Sequence, residues 1–231
     1  MRALRLIISA IALGAAFMVP PAADAQIPPA AEEIAQYRGL HAAAQTGDLA
    51  TIKRLWTEKA DFNASDSYGR TPLHVATFAK QRDAIRLLIE KGSDSRRLEN
   101  DRYDAVTIAA VADDEESLRV LLSLGASAKL VTSRYDGTAL IAAAHLGHDG
   151  VVRQLIAAGA LLDHVNNLHW TAAIEAVVLG DGGPRHQFTL RALIDAGANL
   201  QLADRHGNTP LMLAKQRGYV NMVKMLEAAN R

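Results

Sequence analysis

Asp66-Ser67-Tyr68-Gly69-Arg70-Thr71-Pro72-Leu73-His74-Val75-Ala76 reads as a turn running into the start of a helix. Pro72 fits the first helical turn, where a missing N–H costs nothing and the fixed φ helps. Thr71 before it can cap the helix with its hydroxyl. The same stretch recurs along the chain. Upstream stands Leu40-His41-Ala42-Ala43. Downstream follow Asp104-Ala105-Val106-Thr107-Ile108-Ala109, Thr138-Ala139-Leu140-Ile141-Ala142-Ala143, Thr171-Ala172-Ala173-Ile174-Glu175-Ala176 and Thr209-Pro210-Leu211-Met212-Leu213-Ala214. Spacings from Thr71 are 33, 34, 33 and 38. A glycine closes four copies, at Gly92, Gly125, Gly159 and Gly197. Inside the fifth copy, Asp181-Gly182-Gly183-Pro184-Arg185 is inserted.

Each copy carries two apolar helical patterns. Leu73 and Ala76 give the first helix a small apolar face, while Ile85, Leu88 and Ile89 do so for the second. Val152, Leu155 and Ile156 repeat that second pattern. The closing glycines fit left-handed helix ends. One such pair cannot bury its own apolar face, so the copies are expected to stack side by side.

These residues resemble the ankyrin repeat, which combines a Thr-Pro-Leu-His start, a central glycine, a Leu-Leu pair and a Gly-Ala close. The resemblance covers about residues 40 to 229 and implies an all-α solenoid of about six helix-turn-helix units joined by β-hairpin-like loops. The third copy departs most, with Asp104-Ala105 for Thr-Pro and Thr107 for His. Lys59 and Lys80 stand where glycine is usual. The repeats are assigned to residues 40–65, 66–98, 99–132, 133–165, 166–203 and 204–231, the last including a C-terminal cap. The insertion 181–185 falls in the fifth. Residues 26–39 form an N-terminal cap or linker.

Residues 1–25 read as a secretory signal peptide. Arg2 and Arg5 precede the uncharged run Leu6 to Val19, Pro20-Pro21 breaks it, and Ala23-Asp24-Ala25 offers small residues for cleavage before Gln26. The run is shorter than the ~20 residues a span needs. The expectation is a periplasmic or secreted monomer with no membrane insertion after cleavage.

Composition narrows the function. Lys+Arg and Asp+Glu number 25 each, so the chain lacks the basic excess that nucleic-acid binding requires. There is no cysteine, which excludes disulfides, thiolate metal sites and Cys nucleophiles. No Gly-x-Ser-x-Gly elbow, His-Glu-x-x-His helix or phosphate loop occurs. The expectation is a non-catalytic protein that needs no cofactor. Asp113-Asp114-Glu115-Glu116 suits a helix N-terminus, where carboxylates complement the dipole.

Partner contacts are carried over from the resemblance, which implies that hairpin tips and inner helices hold another protein. The candidates are Tyr68, Arg70, Tyr103, Arg134, Tyr135, Leu168, Trp170 and His206 at the tips, with Phe78 and His145 on inner helices. Tyr68, Tyr103, Tyr135 and Trp170 read as one aromatic row, since Tyr and Trp dominate interface energetics. Trp56, Phe62 and Phe188 are expected in packed positions, and His41 and His74 in structural ones. The functional reading is an adaptor or protective factor for an envelope or periplasmic protein. The alternatives are a metal or small-ligand binder using His145, His148 and His186, and a secreted effector acting on a host protein.

Overall fold

A computed structural model describes residues 27–229; the signal-peptide reading falls outside them. A short helix α1 (Ala31–Gln36) precedes six antiparallel helix pairs. These are α2 (Gly39–Thr46) with α3 (Leu49–Thr57), α4 (Pro72–Phe78) with α5 (Arg82–Glu90), and α6 (Ala105–Val111) with α7 (Glu115–Ser123). Then follow α8 (Ala139–Leu146) with α9 (Asp149–Ala157), α10 (Ala172–Val178) with α11 (Pro184–Asp195), and α12 (Pro210–Gln216) with α13 (Val220–Ala229). Each first helix packs on its own partner and on the neighbouring first helices, on both sides for α4, α6, α8 and α10. The result is a helical solenoid, with hairpins along one edge and helix-helix turns along the other.

Small residues set the stacking. Ala44, Ala76, Ala110, Ala143, Ala144, Ala176 and Ala214 are fully buried on the first helices. Alanine there lets neighbouring helices approach closely, since interaxial distance follows the side chains at the contact. Larger residues, among them Ile85, Leu88, Leu118, Leu121, Leu155 and Leu193, fill the space beneath the second helices.

The helix starts follow the recurring hydroxyl. Thr71, Thr138, Thr171 and Thr209 accept from the backbone N–H three residues on. Asp104 does the same for Thr107 at 2.8 Å. Lys59 and Lys80 adopt left-handed φ of 60° and 55°, so both turns are made in the ordinary way without glycine. Asp113 shares that conformation, and Asp114 caps α7 through Ser117. The acidic run therefore turns the chain and starts a helix, with Glu115 and Glu116 in its first turn.

Three packing details differ from the reading of the sequence. The insertion in the fifth repeat is part turn and part helix. α11 has 12 residues against 9 in α5, α7 and α9, because Pro184–His186 add one turn at its start. That extra turn sends Arg185 back to Asp113 of the third repeat at 2.8 Å and to Asp149 of the fourth at 3.6 Å. Tyr219 Oη holds the turn from the other side by donating to Gly180 O at 2.9 Å. Phe188 is exposed rather than packed, because its slot before Gly197 matches that of exposed Asp83 before Gly92. Trp56 is also exposed. The matching Ile89, Leu122, Ile156 and Ile194 are half-buried against the core, whereas Trp56 lies in the first repeat and carries Lys91 over its ring at 4.1 Å. Phe62 is buried as expected.

Among the described residues, Asp104 is the one first-helix cap that is an acid, where four other repeats have threonine. It is buried, and its Oδ2 has no hydrogen-bond partner. Burial outweighs the bonds from Thr107 and raises its pKa to about 6. A raised folded-state pKa means stability that is present below the unfolded value and lost as pH rises through about 6. Asp104→Thr keeps a capping oxygen and removes the buried charge. Thermal and denaturant melts should show it more stable than the parent by about 2 kcal/mol at pH 7.5, with the gain nearly gone at pH 4.

Candidate functional site

The hairpin edge is built by one recurring brace. Five residues before each helix cap stands a side chain with an oxygen: Asp66, Glu99, Ser133, Asn166 and Asp204. Each accepts two backbone N–H groups of its own turn. Asp66 takes Tyr68 and Arg70 N–H, both at 2.9 Å. Glu99 takes Asp101 and Tyr103, and Ser133 takes Tyr135 and Gly137. Asn166 takes Leu168 and Trp170, and Asp204 takes His206 and Asn208. Short side chains commonly close turns this way. In four repeats one further backbone bond shuts the loop, as from Asp66 N–H to Arg70 O at 3.0 Å. Regular strands occur, among the described residues, only where the third repeat meets the fourth, β1 (Val131–Thr132) pairing antiparallel with β2 (Gly137–Thr138).

Neighbouring turns are also joined to each other. Asn100 N–H donates to Tyr68 O, Ser133 N–H to Arg102 O and Asn167 N–H to Tyr135 O, at 2.8 to 3.0 Å. Histidines add a second set of links. His41 Nε2 donates to Arg70 O, His74 Nε2 to Arg97 O and His164 Nε2 to Asp136 O. His74 Nδ1 accepts from Thr71 N–H, so both ring nitrogens are used. Burial lowers the pKa of that ring to about 4, which keeps it neutral.

The expected aromatic row divides into two classes. Tyr68 and Tyr135 stand three residues before the helix cap, beside Asp101, Leu168 and His206 of the other repeats. At this position side chains point outward: Tyr68 is 48% exposed, and Tyr135 and His206 are exposed too. Tyr103 and Trp170 stand one residue before the cap, beside Arg70, Gly137 and Asn208. Here side chains turn inward. Trp170 packs against the core, and Tyr103 is half-buried.

Arg70 is the clearest correction, since its side chain is buried at 3% exposure and is not a free surface cation. Its Nε donates to Asp66 Oδ2 at 2.8 Å and its Nη2 to Glu33 Oε2 of α1 at 2.6 Å. Tyr37 Oη donates to the same Asp66 oxygen at 3.0 Å, and its ring tilts over His41. Burial would raise the Asp66 pKa, but the backbone and guanidinium bonds from Arg70 bring it below the ordinary value. This network is what fastens α1 to the second repeat.

Arg134 is exposed and ion-pairs with Asp101 of the preceding tip. Leu168 and Phe78 are half-exposed. His145 lies on α8 with Nδ1 3.3 Å from the buried Glu175, which also accepts from Asn166. The other two histidines of the metal reading are turned to different acceptors. His148 Nδ1 donates to Ala110 O and His186 Nε2 to His145 O, both at 2.9 Å. Among the described residues, no three His, Asp or Glu side chains converge as a metal would need. An apolar series went unnoticed in the sequence. Leu98, Val131 and Val165 lie six residues after Gly92, Gly125 and Gly159, and all three are exposed beside the tips.

The family model for ankyrin repeats matches residues 40–132 and 140–230. The chain belongs to the ankyrin repeat family. It is 32% identical over 188 residues to the ankyrin repeat protein YahD of Escherichia coli strain K12, an alignment covering 81% of this chain and 93% of YahD. A crystal structure of an ankyrin repeat domain from Acinetobacter baumannii is 43% identical, with TM-score 0.78, covering 83% of this chain and 97% of the other. A structure of a predatory endopeptidase from Bdellovibrio bacteriovorus in complex with an immunity protein also matches. There the identity is 26% and the TM-score 0.69, over 83% of this chain and 98% of the other. Ankyrin repeats bind protein partners, and the chain is a protein-interaction module of that kind. Among the described residues, no helix is long and apolar enough to cross a membrane.

Arg70→Ala is therefore expected to act on stability. It strips the partner from two carboxylates in a largely buried network, a loss worth about 3 kcal/mol. Denaturant unfolding should show that loss, and hydrogen exchange should show α1 released first.

Proposed function

We propose that the protein is an exported, non-catalytic adaptor or protective factor that holds an envelope or periplasmic protein on its hairpin edge. The carrying observation is that edge itself. It is braced at every turn, tied from turn to turn, and still presents Tyr68, Tyr135, Leu98, Val131 and Val165 to solvent. A pre-ordered surface loses little entropy on association, so most of the contact energy becomes affinity. Aromatic and aliphatic groups set among polar neighbours are the composition of an interface core.

Two further observations support the reading. The signal-like residues 1–25 support export. The likeness to a structure of an endopeptidase with its immunity protein supports a protective role toward an enzyme. In this reading Tyr68, Tyr135, Leu168 and His206 face the partner, Arg134 rims it, and Phe78 and His145 border it from the inner helices. Tyr103, Trp170 and Arg70 hold the turns.

Affinity capture from the native envelope fraction tests this, with the chain from Gln26 onward as bait. A Tyr68→Ala/Tyr135→Ala version should lose a retained protein by about tenfold or more, since interface anchors each carry over 1 kcal/mol. Arg86→Ala, on the outer face of α5, should retain it. Equal capture by all three would remove the hairpin edge from the account. Cell fractionation with mass determination of the N-terminus tests export, the expected first residue being Gln26.

A further inference from the structure

The chain ahead of the first repeat does not stop at the end of the array. α1 is fastened to the second hairpin through Glu33 and Arg70. Pro29, just before it, is buried. Two residues further out, Ile27 forms one wall of a cavity of about 70 Å³. The other walls are Asp101 and Tyr103 of the third repeat and Arg134 and Tyr135 of the fourth. The segment thus runs along the hairpin edge against the order of the repeats, from the second tip to the junction of the third and fourth.

The seat suits what lies against it. Two tyrosine rings offer apolar faces, and the Asp101–Arg134 pair closes the rim. Ile27 supplies a branched apolar side chain, and Pro28 and Pro29 preset an extended backbone that has no N–H to leave unpaired. Prolines also reduce the entropy lost on docking. Ile27 stays 69% exposed, so the contact is shallow and suited to reversible release.

We propose that the junction of Tyr103 and Tyr135 is a docking seat for an extended, proline-flanked apolar segment, and that the chain's own Ile27-Pro28-Pro29 covers one side of it in the free protein. A ligand that uses Tyr135 must lift this strap. Tethering keeps the segment at high effective concentration, so weak contacts hold it in place. The proposal concerns the free chain and stands or falls independently of the partner reading above.

The absence of native cysteine makes disulfide trapping clean. The full chain carrying Ile27→Cys and Tyr135→Cys is oxidised mildly beside one carrying Ile27→Cys and Ser67→Cys. Ser67 is exposed on the hairpin to which α1 is fastened, so an undocked segment would meet it at least as readily. Intramolecular trapping about tenfold faster at Tyr135 is expected, because docking raises the local concentration there. Equal rates, or faster trapping at Ser67, would overturn the proposal. Disulfides that join two chains would overturn it as well, by placing a second copy in the seat. Should Tyr135→Cys disturb folding, Ile27→Ala gives a second readout. The ring resonances of Tyr103 and Tyr135 should shift while those of Tyr219 do not, and no shift at either would count against the seat.

Discussion

Everything in this molecule rests on one repeat covering the next. No helix pair has an apolar face it can bury alone, so each must lend its surface to a neighbour. Alanines such as Ala76, Ala110, Ala144 and Ala176 let first helices lie close, and longer aliphatic residues fill the second layer. Polar links act at the same junctions. His41 and His74 each reach a carbonyl further along the chain, His164 reaches one in the preceding hairpin, and backbone bonds join one tip to the next. Close stacking of helices thus fixes the spacing of the hairpins, and the hairpins become a continuous edge.

That edge stays ordered although it is a row of loops. Each turn depends on one side-chain oxygen that accepts two backbone N–H groups, and five repeats use Asp66, Glu99, Ser133, Asn166 and Asp204 for it. Four residue types perform one task because the task needs only an acceptor within reach. The tips are then free to vary outward, from Tyr68 to Asp101, Tyr135, Leu168 and His206, without loss of the turn. Variation over a fixed scaffold is how a repeat protein can change partners while keeping its fold.

The fold was largely legible in the sequence. Thr71-Pro72-Leu73-His74 and Thr209-Pro210-Leu211 announce helix starts by local chemistry, and Gly92, Gly125, Gly159 and Gly197 mark helix ends by φ alone. Such signals act over a few residues and survive without tertiary context. The candidate site was less legible, because inward and outward positions alternate within a turn. Tyr103 and Trp170 read as companions of Tyr68 and Tyr135 until the register to the helix cap separates them. Arg70 looked like a surface cation because its partner Glu33 lies 37 residues away, on a helix outside the repeat. The braces escaped notice since Asp, Glu, Ser and Asn share no identity, only an oxygen. Phe188 and Trp56 show the converse, large apolar residues whose slots happen to lack a cover.

The account centres on a hairpin edge that is built before any partner arrives. Native-state hydrogen exchange of the braced amides of Arg70, Tyr103, Gly137, Trp170 and Asn208 tests this most directly. Protection at these five amides comparable with that of the first helices is the predicted result. Exchange at the rate of an open loop would contradict it, and would make the edge something that a partner orders on binding.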